Sequence, residues 1–407
     1  MDDRCNVPWL TIVGIGEDGT AGLSAASRQA LRAAQVIVGA PRHLGLLSAD
    51  TQIGAERIVW PSPFSSGIER VLALRGRPVV MLASGDPFWF GAGSVIVRHL
   101  APHEWTALPA LSVFSLAAAR LGWALEHCLC LGLHAAPFER LRPQLAPGVR
   151  ALVLVRDGAA VGELAAWLNA LGFGPSNLYV LEALGGPNER VRRTTAADYA
   201  LHDVRHPVTV GIEAASAPNT VVLPHVAGLP DALFEHDGQL TKRPLRALTL
   251  SALAPRPGER LWDIGAGSGS VGIEWLLSHP ANQAIAFEAD PVRAERARRN
   301  AQALGADRLQ MVIGHAPAAL DGQPAPDAVF IGGGLSEALL ECVWQRLSPG
   351  ARLVANAVTL ESESVLARWH AAHGGQLLRV EIAEAAPLGS RRGWKAAYPL
   401  VQWSVCR

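Results

Sequence analysis

Leu261-Trp262-Asp263-Ile264-Gly265-Ala266-Gly267-Ser268-Gly269 decides the fold of the carboxyl-terminal half. A short apolar run of strand character meets three alternate glycines, and a helix is predicted to open at Ser270. Glycine permits a sharp turn and lets a ligand approach the main chain. The first turn of the helix offers free N–H groups. Nineteen residues after Gly269, Glu288 closes the next apolar run, where a carboxylate can accept hydrogen bonds from both hydroxyls of a ribose.

Spacing alone permits a dinucleotide site here. Two features favour S-adenosylmethionine. The loop reads D-x-G-x-G-x-G, with Asp263 at the strand end to meet the cationic amino-acid portion of that cofactor. The sheet is also predicted to end in an antiparallel pair, which suits a methyltransferase better than a nicotinamide domain. The expected cofactor contacts are Asp263, Gly265, Gly267, Gly269 and Glu288, with His315 and Ala316 of Gly314-His315-Ala316-Pro317 covering the adenine. Gly332-Gly333-Gly334, at the end of a further strand, implies open space for a large ligand.

Outward from this motif, strands and helices alternate, the signature of parallel α/β sheets. Carboxyl-terminal strands are predicted at Arg260–Ile264, Gln283–Glu288, Leu309–Ile313, Ala328–Ile331 and Ala351–Ala355, and extended runs at Leu377–Ala383 and Ala396–Val405 pair antiparallel. The connection between those runs is too short for a crossover helix. Pro224, Gly228, Pro230, Asp231, Asp237 and Gly238 punctuate a linker. The expected division is therefore a two-lobed α/β domain over 1–223, a linker over 224–239 and a Rossmann-like domain over 240–407.

Apolar residues make up 49% of the 407 and charged residues 18%, which excludes disorder of the whole chain. Net charge is zero, so nothing draws the protein generally to nucleic acid or anionic membrane. The amino terminus lacks the pattern of a signal peptide, and no apolar run approaches the ~20 residues of a membrane span. Five cysteines do not look like a disulfide framework, and Cys128 and Cys130 read as small apolar strand residues, not metal ligands. A cytoplasmic protein without a bound metal is expected.

The amino-terminal half has its own glycine signals. Gly14-Ile15-Gly16 follows the first strand, and Ser84-Gly85-Asp86-Pro87-Phe88-Trp89-Phe90-Gly91 follows another. Such a loop can wrap an adenosyl group with main-chain contacts, with Asp86 as polar anchor or as a simple helix cap.

These residues, with Val38-Gly39-Ala40 and Arg42, resemble the tetrapyrrole (corrin/porphyrin) methylases. Pro109-Ala110-Leu111-Ser112-Val113-Phe114-Ser115-Leu116-Ala117 is similar to that family's second-lobe segment, with Leu111 in place of a more usual small residue. Asp237-Gly238-Gln239-Leu240-Thr241-Lys242-Arg243, the Leu261–Glu274 stretch, Gly314-His315-Ala316-Pro317 and Phe330-Ile331-Gly332-Gly333-Gly334 resemble the decarboxylating precorrin methylases. The resemblance covers nearly the whole chain. It implies a tetrapyrrole methylase fold followed by a Rossmann-like methyltransferase fold, with one S-adenosylmethionine per domain and two per chain. It places Gly14, Gly16, Gly85, Asp86, Phe90 and Ser115 at the amino-terminal cofactor.

The implied reaction methylates two meso carbons, 5 and 15, of a reduced precorrin and decarboxylates the ring-C acetate, in cobalamin biosynthesis. The amino-terminal domain would serve carbon 5, and the carboxyl-terminal domain carbon 15 and the decarboxylation. The partner is a small-molecule tetrapyrrole, with no nucleic acid and no membrane, and a homo-oligomer is expected. No catalytic acid, base or nucleophile stands out, in keeping with a reaction that needs mainly positioning and exclusion of water. Thr241, Lys242 and Arg246 before the cofactor strand, and Arg391, Arg392 and Trp394 between the last two strands, are the candidate substrate contacts. A methyltransferase acting on nucleic acid or protein, a nicotinamide-dependent reductase, and a chain in which one domain only scaffolds the other remain as alternatives.

Overall fold

The computed structural model describes residues 8–47 and 54–407. The chain divides into two compact units, one of residues through Ala136 with Ala146–Val221, the other of Pro137–Leu145 with Val222–Arg407.

The first lobe of unit 1 contains β1 (Leu10–Ile15), α1 (Ala25–Ala33), β2 (Val36–Gly39), α2 (Pro41–Gly45), β3 (Glu56–Val59), α3 (Ile68–Leu72), β4 (Val79–Ser84), α4 (Gly93–Ile96) and β5 (Trp105–Leu108). Its strands form a parallel sheet in the order β3-β2-β4-β1-β5. β1, β2 and β4 are buried nearly throughout, which is why they read as unbroken apolar runs. Ser24 starts α1 by accepting a hydrogen bond from the Ser27 N–H, as expected of a cap. Ile15 lies opposite Ser84, so the loops after β1 and β4 leave the sheet side by side.

The second lobe contains α5 (Val113–Leu121), β6 (Cys128–Gly132), β7 (Arg150–Leu154), α6 (Gly158–Ala170), β8 (Asn177–Glu182), β9 (Arg190–Thr195) and β10 (Val208–Glu213). Its sheet has the order β6-β7-β10-β8-β9, and only β6 and β7 run parallel. The expectation of parallel pairing through this half is corrected for the second lobe. β9 escaped sequence reading because Arg-Val-Arg-Arg-Thr-Thr carries little apolar signal. As an edge strand it presents charge to solvent and pairs Arg190 with the buried Glu182 carboxylate at 2.8 Å.

Unit 2 continues with α7 (Arg243–Leu253), β11 (Arg260–Ile264), α8 (Ser270–Ser278), β12 (Gln283–Glu288), α9 (Pro291–Ala303), β13 (Gln310–Ile313), β14 (Ala328–Ile331), α10 (Glu337–Arg346), β15 (Arg352–Ala357), α11 (Leu360–His373), β16 (Gln376–Val380), β17 (Ala383–Leu388), β18 (Arg391–Ala396) and β19 (Leu400–Cys406). The sheet order is β13-β12-β11-β14-β15-β19-β16. Its first five strands are parallel, and β19 lies antiparallel between β15 and β16, the closing pair that the sequence predicted. Between that pair the chain inserts a separate exposed hairpin, β17–β18.

Residues 224–239 are not a free linker. Leu229 and Phe234 are buried in the core of unit 2 with Leu250, Leu253 and Trp275. The backbone N–H groups of Gly228 and Leu229 donate to Glu274 at 2.6 and 2.9 Å. Turn-forming residues marked the loop correctly, but its apolar residues have a core to enter. Pro137–Leu145 also belongs to unit 2. Arg140 makes a two-pronged pair with Asp307 at 2.9 Å, and Arg142 donates to the carbonyl of Ala303 at the end of α9. Among the described residues no helix is long and apolar enough to cross a membrane.

Candidate active sites

In unit 2 the carboxyl edge of the parallel strands opens into a cavity of about 680 Å³. Its lining includes Gly265, Ala266, Gly267, Glu288, His315, Ala316, Gly332 and Gly333, so one space gathers the loops after β11, β12, β13 and β14. The three loop glycines have different reasons to be glycine. All take positive φ, at +71, +58 and +76° for Gly265, Gly267 and Gly269. A Cβ on Gly265 would lie 2.6 Å from the Gly333 nitrogen, so this position serves the packing of two strand-end loops. Gly269 caps α8, where a Cβ would press on Ala297 at 3.0 Å. A Cβ on Gly267 would meet nothing closer than the Gln239 carbonyl at 3.7 Å. Gly267 alone of the three turns open space toward the cavity.

Glu288 is only 7% exposed, and each of its carboxylate oxygens is held by one backbone N–H, from Gly267 at 2.8 Å and Asp290 at 3.0 Å. A carboxylate oxygen has more than one acceptor direction, so capacity for ribose hydroxyls remains.

Asp263 does not line the cavity, contrary to the sequence expectation. It is buried, and its Oδ2 accepts from the Gly272 N–H at 2.9 Å, tying β11 to α8, while Oδ1 has no partner. Burial pushes its carboxyl up to about 7; the Gly272 N–H opposes the shift and the negative Glu288 adds to it. The folded-state value lies above the ordinary 3.8, so the contribution to stability is fullest below pH 4 and is lost as pH rises through 7. Unfolding free energy should therefore decline between about pH 4 and 7 in the wild type and level off above, and Asp263→Asn should remove that decline. Denaturant titrations at several pH values check this, and parallel pH profiles of the two proteins would refute it.

Thr241 and Lys242 line the cavity as expected. Arg246 does not: it is fully buried, donating to Glu274 at 2.5 Å, to Asp231 at 3.1 Å and to the Thr241 carbonyl at 2.5 Å. Arg391, Arg392 and Trp394 are corrected likewise. They sit on β18 of the exposed hairpin, and none of them reaches the cavity lining. The cations that do line it are Lys242 and Arg293, the latter held by Asp237 at 2.9 Å. Sequence reading missed Gln239, Arg293 and Asn356 in this wall. Asn356 carried a signal, an amide inside the apolar run Leu353-Val354-Ala355-Asn356-Ala357.

Unit 1 has a second cavity of about 680 Å³, lined by both of its lobes. Gly16, Gly85, Asp86 and Phe90 line it, as expected. Asp86 Oδ1 accepts from the Phe88 N–H at 2.8 Å, which folds the loop back on itself. Phe90 holds a positive φ of 55° and turns its ring edge toward Phe114, with centroids 5.9 Å apart. Gly14 is not in this lining: a Cβ there would fall 1.9 Å from the Gly85 carbonyl oxygen and 2.5 Å from the Ala110 nitrogen, so its task is to let three loops meet. Ser115 is also outside the lining, hydrogen-bonded to Ser112 at the start of α5, and Ser112 takes the place in the wall.

A polar cluster that sequence reading did not assemble stands in the same wall. Arg42 pairs with Glu17 and donates to Ser84 Oγ at 2.7 Å, and His43 Nε2 lies 2.9 Å from that oxygen. Burial, helped by the charge of Arg42, pushes the His43 imidazole down to about 4, so it is neutral at pH 7. His134, Arg156 and His206 add to the polar lining. Among the described residues no group of three or more His, Cys, Asp or Glu is placed to hold a metal.

Residues 9–200 match the family described as tetrapyrrole (corrin/porphyrin) methylases, and residues 232–407 match the precorrin methyltransferase domain. The chain is 52% identical over 399 residues to the precorrin-6Y C(5,15)-methyltransferase [decarboxylating] of Sinorhizobium sp., covering 98% of this chain and 96% of that protein. The protein of the same description from Mycobacterium tuberculosis is 42% identical, covering 98% of this chain and all of that one. A shorter relative, the cobalt-precorrin-6B C(15)-methyltransferase (decarboxylating) of Salmonella typhimurium, is 34% identical over 168 residues, covering 40% of this chain and 85% of that protein.

Proposed function

The chain belongs to the decarboxylating precorrin-6Y C(5,15)-methyltransferase family, and we propose that each unit binds one S-adenosylmethionine and performs one of the two methyl transfers. The observation that carries this reading is the pair of separate cavities, one at the glycine loops of each unit and each within the size range of a small-molecule site.

The residues present suit the cofactor. Gly267 leaves room beside a main-chain turn, and Glu288 offers acceptors for a ribose at the neighbouring strand end. In unit 1, Gly16, Gly85, Asp86 and Phe90 would hold the second molecule. When bound, S-adenosylmethionine supplies an electrophilic methyl group on a cationic sulfur. A meso carbon of a reduced tetrapyrrole is enamine-like and already nucleophilic, so the protein's own work is alignment and exclusion of water.

Unit 2 is assigned carbon 15 and the decarboxylation, and unit 1 carbon 5. Support comes from the shorter relative, which is about one domain long and carries both the C(15) transfer and the decarboxylation in its description. Lys242 and Arg293 in unit 2, and Arg42 and Arg156 in unit 1, would meet the substrate's carboxylates. Homo-oligomerisation is supported by the β17–β18 hairpin, where Leu388, Trp394 and nearby Tyr398 are all at least 70% exposed.

Calorimetric titration with S-adenosylhomocysteine should approach two equivalents per chain. Mass spectrometry of the tetrapyrrole formed with labelled S-adenosylmethionine should show two added methyl groups and the loss of one carbon dioxide. A single saturable site, with no second at high ligand, would refute the two-site reading.

A further inference from the structure

Asn356 lines the cavity of unit 2 beside Leu245, Val358 and Leu400. It lies directly opposite Gln402 in the antiparallel pairing of β15 with β19. The residues that alternate with them, Ala355, Ala357, Val401 and Trp403, enter the core on the opposite face of the sheet. On their own face the neighbouring Val354 packs with Leu250 and Leu253 of α7. Two amides therefore stand on the face that packs against α7, joined there by Thr249 of that helix, which is fully buried. A buried polar group of this kind costs stability relative to apolar packing, and it calls for a reason.

The bonding of the group is directional. The Thr249 hydroxyl donates to the Leu245 carbonyl at 2.8 Å. Its oxygen must then act as acceptor, and it receives Asn356 Nδ2 at 3.0 Å and Gln402 Nε2 at 3.2 Å. Gln402 Nε2 also donates to Asn356 Oδ1 at 2.9 Å. The Asn356 amide is thus held at both ends, with its nitrogen and oxygen distinguished by the network. Asn356 Nδ2 has a second N–H, and among the described residues no acceptor is assigned to it.

We propose that Asn356, fixed by Thr249 and Gln402, grips and orients the acetate carboxylate that is lost as carbon dioxide. This rests on the assignment of the decarboxylation to unit 2. In that step the bond between the acetate methylene and its carboxyl carbon breaks. The electron pair passes into the conjugated macrocycle, carbon dioxide departs, and the methylene carbon takes a proton from water to become a methyl group. The breaking bond must align with the π-system, so the carboxylate has to be held in one orientation. Negative charge leaves the carboxylate as the bond breaks. An ammonium or guanidinium in contact would stabilise the starting carboxylate more than the transition state, whereas a neutral amide orients it with less of that penalty. The flanking Leu245, Val358 and Leu400 strip water from the same carboxylate.

The test uses the full chain with Asn356→Asp, a precorrin labelled in the acetate carboxyl, and S-adenosylmethionine. Release of labelled carbon dioxide at pH 8 should fall about 100-fold, the scale of a misplaced reacting group. Release should recover as the pH is lowered and the introduced carboxyl takes up a proton, becoming a neutral donor. A purely structural role would not produce that recovery. Thr249→Val, which frees the amide without adding charge, should lower the turnover of carbon dioxide release while S-adenosylhomocysteine still binds unit 2. Release by Asn356→Asp within a few-fold of wild type, or a loss without pH recovery, overturns the proposal. Gly267→Val is the separating control: if it leaves carbon dioxide release and both methylations intact, the cofactor site of unit 2 is misplaced and that reading fails independently of Asn356.

Discussion

Gly267→Val is expected to cut methylation at one meso carbon sharply while the other transfer continues. The surroundings explain why the effect should fall on the ligand and not mainly on the fold. At Gly265 a side chain would strike the Gly333 backbone at 2.6 Å, so any substitution there deforms two loops together. At Gly267 the nearest protein atom to an added Cβ is 3.7 Å away, and the new methyl groups would project into space assigned to the cofactor. The backbone cost of a side chain at φ +58° is about 1–2 kcal/mol, with a further penalty for a β-branched residue. Overpacking against a close-fitting ligand adds roughly 1–3 kcal/mol, or ~5- to 150-fold in affinity. Titration with S-adenosylhomocysteine should drop from two equivalents to one at moderate concentration, and the tetrapyrrole product should carry one added methyl. Glu288→Ala should move the same site in the same direction by about 1.5–3 kcal/mol. It also releases the Gly267 N–H, so part of that loss comes from the loop. Unchanged product from both variants would show that the cofactor lies elsewhere.

Arg246→Met should lower the stability of unit 2 by about 3–5 kcal/mol, the usual result of removing one member of a buried ion pair. Arg246 is fully buried, and Glu274 is nearly so. The guanidinium spans Glu274, Asp231 and the carbonyls of Leu229 and Thr241, and it lies 4.8 Å above the Phe234 ring. Without it, Glu274 keeps only the N–H groups of Gly228 and Leu229. The segment from 228 to 241 loses its buried cationic anchor and keeps only its core contacts and the ties of Glu235 and Asp237 to α9, which loosens the rim formed by Gln239, Leu240, Thr241 and Lys242. Denaturant unfolding should show the lower midpoint, and the concentration of S-adenosylmethionine needed by unit 2 should rise. A stability change within about 0.5 kcal/mol, the range of ordinary surface substitutions, would mean the network does not anchor this segment.

Much of the fold was readable because its signals are local. A positive φ selects glycine at the turn itself, as at Gly265, Gly267 and Gly269. A helix start is set within three residues, as when Ser112 accepts from the Ser115 N–H. Buried parallel strands declare themselves as apolar runs, and so β11, β12 and β14 lie at the expected places. Those signals also brought Gly267, Glu288, His315, Thr241 and Lys242 to one cavity.

Side-chain direction was less readable. β11 is buried on both faces over Leu261–Ile264, so strand periodicity does not say whether Asp263 faces ligand or core. Nor does it show that Gly14 is needed for loop packing while Gly16 lines a cavity. The β17–β18 hairpin was hidden because its strands are exposed and lack a buried face to impose alternation.

The sequence by itself determined the two α/β halves, the glycine turns at their strand ends and the acidic residue beside the second turn. Each of these is specified by backbone chemistry and periodicity over a few residues. Tertiary structure alone decided the partners of the buried polar groups. Arg246 meets Glu274 across 28 residues, Asn356 meets Thr249 across 107, and Gln402 meets Thr249 across 153. A charge or an amide has no local rule that names its distant partner. It is settled only when the core closes and each buried donor must find the acceptor that packing has placed beside it.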